Sequence, residues 1–214
     1  QPGVRSSWDE FEKYVDLNLV ETERLAKVVV QSNIETVVFA SSSSVYGDLS
    51  TYPAVETNPT RPRSPYGVTK LAGEELWDAY VIAHGLSVAA LRFFTVYGPG
   101  QRPDMATHRL IDASLTGESF SLFGDGKQRR DFTFVNDIVQ ACMDIASCQH
   151  LRSDALNVFN VGGTGDITMI ELIELVESAT GRKIAIERLP AQRGDVARTG
   201  ADIRRINEVT GWRR

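Results

Sequence analysis

Two apolar runs constrain this chain more than any other feature. They are "TVVFA" at residues 36–40 and "SVAALRFF" at residues 87–94. Neither alternates apolar with polar residues, so each reads as a strand buried on both faces, the signature of a parallel sheet covered by helices. Helical patterns stand between and around them. Residues 7–32 carry Phe11, Val15, Leu19, Leu25, Val28 and Val29 at helical spacing, with Ser6 or Ser7 as the predicted N-cap and Glu10 at capping-box distance from Ser7. Residues 66–84 form a second long helix that Gly85 is placed to stop. Residues 41–44 are a serine loop, and the Pro-rich stretch 52–65 is too interrupted for regular structure. The remainder alternates in the same way. A helix at 107–116 precedes the strands "FSLF" and "RDFTF", separated by the turn "GDGK". Then come the helix "VNDIVQACMDIA", the strand "LNVFNVG", the turn "GGTG", a helix capped by Thr168, the strand "KIAIERL" and a short last helix. "TVYGPGQRP" reads as a loop. Strand and helix alternating throughout predict an α/β fold with a doubly wound parallel sheet and a small C-terminal lobe.

Composition narrows the partners. The 214 residues suit one domain, or one domain with a small lobe, and 42% hydrophobic content supplies a core. A net charge of −5 argues against a nucleic-acid binder. No apolar run is long enough for a membrane span, and no signal peptide is visible. Cys142 and Cys148 lie six apart, on different faces of an expected helix, so no disulfide is expected and a reducing cytoplasm is the default. His84, His108 and His150 lack metal-ligand spacing, and no metal is expected. Trp8, Trp77 and Trp212 read as packing residues, and the charges of "GDGKQRRD" as a solvated turn apart from Arg130.

Chemistry centres on "SPYGVTK", residues 64–70. Tyr66 and Lys70 stand four apart and share a helix face. An ammonium beside a phenol favours the phenolate, which makes a base near neutral pH. Alone, such a pair is common on solvated helices. Here it follows a serine loop at the C-terminal end of a buried strand, where open α/β sheets bind ligands. Ser, Tyr and Lys in that order make a dehydrogenase-like set.

These residues carry a family resemblance. "VVFASSSSVYGD", "SPYGVTKLAGEEL", "LRFFTVYGPGQRPDM", "FGDGKQRRDFTFVNDIV", "NVFNVGG" and "RGDVARTGAD" follow the motif order of the extended short-chain dehydrogenase/reductases. More narrowly, the chain resembles the NAD-dependent nucleotide-sugar epimerases and dehydratases. The resemblance implies Tyr66 as catalytic base, Lys70 on the nicotinamide ribose and Ser42 as the catalytic serine, with NAD as cofactor. It places Asn18, Ala40, Ser41 and Phe93 near the cofactor. It places Ser43, Thr95, Arg102, Arg130, Arg193 and Asp195 near the substrate, the two later arginines on its diphosphate and Asp195 on the nucleotide ribose. It implies that residues 1–98 and 131–164 belong to the cofactor domain, and 99–130 and 165–214 to a nucleotide-sugar lobe. It also implies that the family's first strands and Gly-rich phosphate loop precede Gln1 in a longer protein.

Within the family, dehydratases carry an acid in the loop, as in "TDEVYG". Here Ser43 and Ser44 occupy those places, and neither hydroxyl is a general acid at ordinary pH. That favours epimerisation at C4 of a nucleotide sugar through a 4-keto intermediate. Arg102 resembles a residue of uronate-handling epimerases, while similar loops occur in neutral-hexose epimerases, so UDP-glucose and UDP-glucuronate stand level. A dehydratase or reductase, and a non-catalytic binding protein on the same fold, are the alternatives. The two long helices resemble the family's dimer helices and predict a homodimer.

Overall fold

The computed structural model describes residues 1–163, 165–192 and 194–213. A 3-10 turn at Ser6–Trp8 leads into α1 (Phe11–Val15), a π-helical turn (Asp16–Val20) and α2 (Glu21–Val30), which run on as one rod. The expected start at Ser7 is displaced. The Ser7 hydroxyl donates to the carbonyl of Val4 at 2.7 Å, so it does not cap, and Glu10 precedes the first α-turn.

β1 (Val37–Ser42), α3 (Pro65–His84) and β2 (Val88–Phe93) follow, and β6 (Asn157–Val161) joins them in a parallel sheet of order β1-β2-β6. Ser42 pairs with Phe93, and Phe93 with Val161, so these strands end at one level. Ser64 caps α3 by accepting from Gly67 N at 3.1 Å, and Pro65 sits at the first position, where its missing N–H costs nothing. Gly85 ends the helix in the left-handed conformation, φ 66°. Helices cover both faces of the sheet. On one, Ala26, Val29, Trp77, Val81 and Val88 form a core between α2, α3 and the strands. On the other, Leu91 and Phe159 pack against Ile138 and Ile145 of α5 (Val135–Ala146), Ile206 of α7 (Arg204–Thr210) and Trp212. Each fully buried large side chain stabilises by roughly 1.5–3 kcal/mol.

The smaller lobe surrounds α4 (Ala106–Thr116) and α6 (Met169–Thr180), with β4 (Phe120–Phe123) parallel to β8 (Ile186–Leu189). Its core joins Leu110, Phe120, Leu122, Leu172, Ile173 and Val176. Thr168 caps α6 in a full capping box with Glu171. Between the two units lies a third sheet, β3-β5-β7: β3 (Thr95–Tyr97) runs parallel to β5 (Arg129–Phe134), and β7 (Asp166–Thr168) antiparallel to it. Part of the expected loop "TVYGPGQRP" is therefore strand. Among the described residues, the strand pairs are parallel apart from β5 and β7.

Two other expectations change. Trp77 and Trp212 are buried, but Trp8 is 49% exposed. "GDGKQRRD" is not merely solvated: Asp131 is wholly buried and accepts from Gly163 N at 2.5 Å and Ala201 N at 2.9 Å, and Arg129 pairs with Asp166. Cys142 and Cys148 are both free, and α5 ends before Cys148. Among the described residues, no helix is long and apolar enough to cross a membrane, and no cluster of potential metal ligands occurs.

Candidate functional site

The strand ends, α3 and the small lobe enclose a cleft of about 640 Å³. Its position follows from how β1 and α3 meet. β1 ends at Ser42, whose hydroxyl accepts from Ser44 N at 3.2 Å and so caps a 3-10 turn at Ser43–Val45. That turn brings the Ser44 carbonyl against α3 at Gly67, where an added Cβ would approach it to 2.6 Å. Further along, a Cβ at Gly73 would meet the Phe39 ring at 2.7 Å. The two glycines let α3 lie close on β1. Tyr66 and Lys70 are thereby held beside the serine turn.

The cleft gathers most of the residues the sequence singles out. Ala40, Ser41, Ser42, Ser43, Tyr66, Lys70, Phe93, Thr95, Arg102, Arg130 and Asp195 all line it. Asn18 does not appear in the lining. It is buried in the π-helical turn and donates to Thr69 Oγ1 at 3.0 Å, which in turn donates to the Tyr66 carbonyl at 2.9 Å. Arg193 lies outside the described residues.

The electrostatics differ from the simplest expectation. Burial pushes the Tyr66 phenol above its ordinary pKa, against a hydrogen bond to Ser42 and the charge of Arg102, which act to lower it. Burial also lowers the Lys70 ammonium. Its Nζ donates to the Ala40 carbonyl at 2.8 Å, at the end of β1. The cation that acts on the phenol here is Arg102, one not foreseen for that part. Arg102 itself holds Asp104 with two bonds of 3.0 Å. Arg130 donates to Asp195 at 2.5 Å and to the Arg129 carbonyl at 2.8 Å. Among the described lining residues, Asp195 is the only carboxylate.

A second, smaller cavity of about 190 Å³ shares Thr95, Gln101, Met105, Arg130 and Asp195 with the cleft. Arg5, 4.3 Å above the Phe123 ring, and Arg109, 5.4 Å from the Phe120 ring, stand in its wall. Neither arginine is among the candidate site residues legible in the sequence. Isolated arginines beside aromatics carry no spacing signal, and the fold alone brings them together.

Comparison with known proteins agrees with this fold. A Bacillus subtilis (strain 168) protein named as an uncharacterized UDP-glucose epimerase, YtcB, is 40% identical over 209 residues, covering 97% of this chain. The chain spans 65% of that relative's length. Among solved structures, MoeE5 in complex with UDP-glucose and NAD superposes with a TM-score of 0.93 at 46% identity, over 99% of this chain and 70% of that one. The UDP-glucuronic acid 4-epimerase from Bacillus cereus, in complex with UDP-glucuronic acid and NAD, gives a TM-score of 0.94 at 35% identity, over 99% of this chain and 67% of that one. The NAD dependent epimerase/dehydratase family matches residues 1–162, a span holding the serine turn, Tyr66, Lys70 and both strand ends. With the fold, the cleft and this match in agreement, the chain belongs to the NAD dependent epimerase/dehydratase family.

Proposed function

We propose that the protein carrying this chain inverts C4 of a UDP-sugar through a 4-keto intermediate, with NAD as cofactor. The observation that carries the reading is the convergence of Ser42, Tyr66 and Lys70 on one cleft whose serine turn bears no acid. The nicotinamide end of NAD fits the wall made by Ala40, Ser41, Phe93 and Lys70: a strand end, an aromatic face and an ammonium anchored at 2.8 Å to Ala40. When bound, NAD supplies the hydride acceptor and donor for C4. The chain's own work is proton transfer and orientation. Tyr66 Oη takes the proton of the sugar O4 and later returns it. Ser42 Oγ, on the same cleft wall as that phenol, aligns O4. Arg102, the cation that eases ionisation of Tyr66, lies within reach of the sugar, and Thr95 and Ser43 supply hydroxyls. Arg130, largely buried and held by Asp195, faces the diphosphate. The smaller cavity beside it takes the nucleoside.

Both UDP-glucose and UDP-glucuronate suit this cleft. MoeE5 has been seen with each of them and NAD. A uronate carboxylate would compete with Asp104 for Arg102, whereas a neutral hexose would leave that pair intact. We further propose a cytoplasmic homodimer. Phe11 of α1, Val28 of α2, and Val68 and Ile82 of α3 are large apolar residues left 45–66% exposed, and they supply apolar contact for a two-fold bundle. Incubating the natural full-length protein with each UDP-sugar and following H4 by proton NMR tests the activity. Inversion at C4 supports it, and a 4-keto-6-deoxy product or no turnover overturns it.

A further inference from the structure

Two buried ions behind the cleft take no part in this chemistry. Glu74 is 3% exposed and Arg92 5%. They form a bidentate pair, Arg92 Nε to Glu74 Oε1 at 2.9 Å and Nη2 to Oε2 at 2.6 Å. The Ser41 hydroxyl donates to the same Glu74 Oε1. Arg92 also donates to the Glu56 carbonyl at 3.3 Å and lies 4.7 Å above the Tyr46 ring. The Tyr46 hydroxyl donates to Asn160 Oδ1 at 2.7 Å, and Asn160 N donates to the Glu56 carboxylate at 2.8 Å. The network therefore joins α3 to all three strands of the first sheet.

Its placement is the point. Glu74 follows Tyr66 and Lys70 at successive helical turns on one face of α3. Ser41 and Arg92 are register partners, and the next pair along is Ser42 and Phe93. The ions thus clamp helix to strands one residue behind the reacting groups. Stability alone is a poor reason for such a pair. Desolvation offsets most of its attraction, and well-packed apolar residues of similar volume often serve as well. Burial acts against the Arg92 charge, but the hydrogen bonds and charge of Glu74 more than offset it and hold the guanidinium above its ordinary range.

We infer that Glu74 and Arg92, with Ser41, are positioning residues that fix Tyr66 and Lys70 on α3 relative to Ser42 on β1. The inference rests on the epimerase reading for its kinetic test. A misplacement of about 1 Å costs on the order of 100-fold in rate, which is the scale at stake. The test is the double substitution Glu74→Met/Arg92→Leu in the natural full-length protein, which removes both charges and keeps apolar volume. Its unfolding midpoint should stay near that of the parent, while kcat falls about 100-fold and KM changes little. The titration of Tyr66, followed by NMR with labelled tyrosine, should be displaced from the parent's, and this readout needs no turnover. Parental kcat with an unchanged Tyr66 titration would overturn the inference. Should the double variant not fold, Glu74→Gln keeps the shape and one acceptor oxygen. It should lose kcat with KM little changed, and parental kcat there overturns the inference too. Should the parent invert no UDP-sugar, the epimerase reading fails, and the Tyr66 titration alone decides whether the clamp positions the phenol.

Discussion

The two walls of the cleft are built from charge in opposite ways. On the sheet side, Glu74 and Arg92 are nearly inaccessible, and their side chains are 4% and 6% exposed. On the lobe side, Arg130 is bonded to Asp195, whose side chain is 40% exposed, and Arg102 to Asp104, at 65%. Arg129 and Arg198 both reach the buried Asp166 from partly exposed positions. A dry pair cannot trade its partner for water or ligand, so it fixes geometry. An arginine whose carboxylate partner is partly exposed can exchange that partner for a phosphate or a sugar acid at little cost. The comparison teaches a division of labour: the sheet wall holds the reacting groups still, and the lobe wall offers cations that change partner.

Substitutions break this comparison in a graded way. The largest effect belongs to Tyr66→Phe, which leaves both walls standing but removes the proton carrier. Its kcat should fall by roughly 10²–10⁴, with UDP-sugar affinity by calorimetry near that of the parent. Next, Glu74→Ala strands the buried Arg92 charge and should cost about 3–5 kcal/mol in denaturant unfolding. The matching change on the lobe wall, Arg130→Ala, should alter stability by about 1 kcal/mol or less but weaken UDP-sugar binding roughly 10- to 100-fold, read as KM or by calorimetry. Arg102→Met sharpens the contrast through pH. Removing its charge removes an influence that lowers the Tyr66 pKa, so the rise of kcat/KM with pH moves to higher pH, since less phenolate is present at any given pH. The loss should be greater for UDP-glucuronate than for UDP-glucose, measured side by side. The smallest effect is Thr168→Ala, which removes the cap of α6 far from either reacting group and should cost about 1 kcal/mol in unfolding with kcat unchanged.

Much of the sheet wall is legible in the sequence, because local signals set it. "SVAALRFF" announces a buried strand, Gly85 the end of α3, and the ordering of Ser42, Tyr66 and Lys70 points to the candidate site. "TVVFA" announces a strand but not its place at the sheet edge, which leaves it half-buried with Ala40 exposed instead of covered on both faces. The clamp behind them is not legible. Glu74 and Arg92 belong to a helix and a strand separated by residues 85–87, and only tertiary packing shows that they meet and are buried. Asp131 hides for the same reason: in a run of charges it looks solvated, yet its partners are backbone N–H groups of residues 163 and 201. β3 and β7 are three residues each, too short for a periodic signal. At the other end, Ser7 has the composition of a cap but spends its hydroxyl on Val4. Whether a hydroxyl points forward or back is decided by the turn around it.

One measurement bears most directly on the central claim, that this cleft passes a hydride away from C4 and returns it to the opposite face. The natural full-length protein is incubated with NAD and UDP-glucuronate, and in parallel UDP-glucose, in D₂O, and the product is read by proton NMR. The expected product is a C4-inverted sugar that keeps its original hydrogen at C4, because the hydride never exchanges with solvent. Deuterium at C4, or recovery of both sugars unchanged, would contradict it.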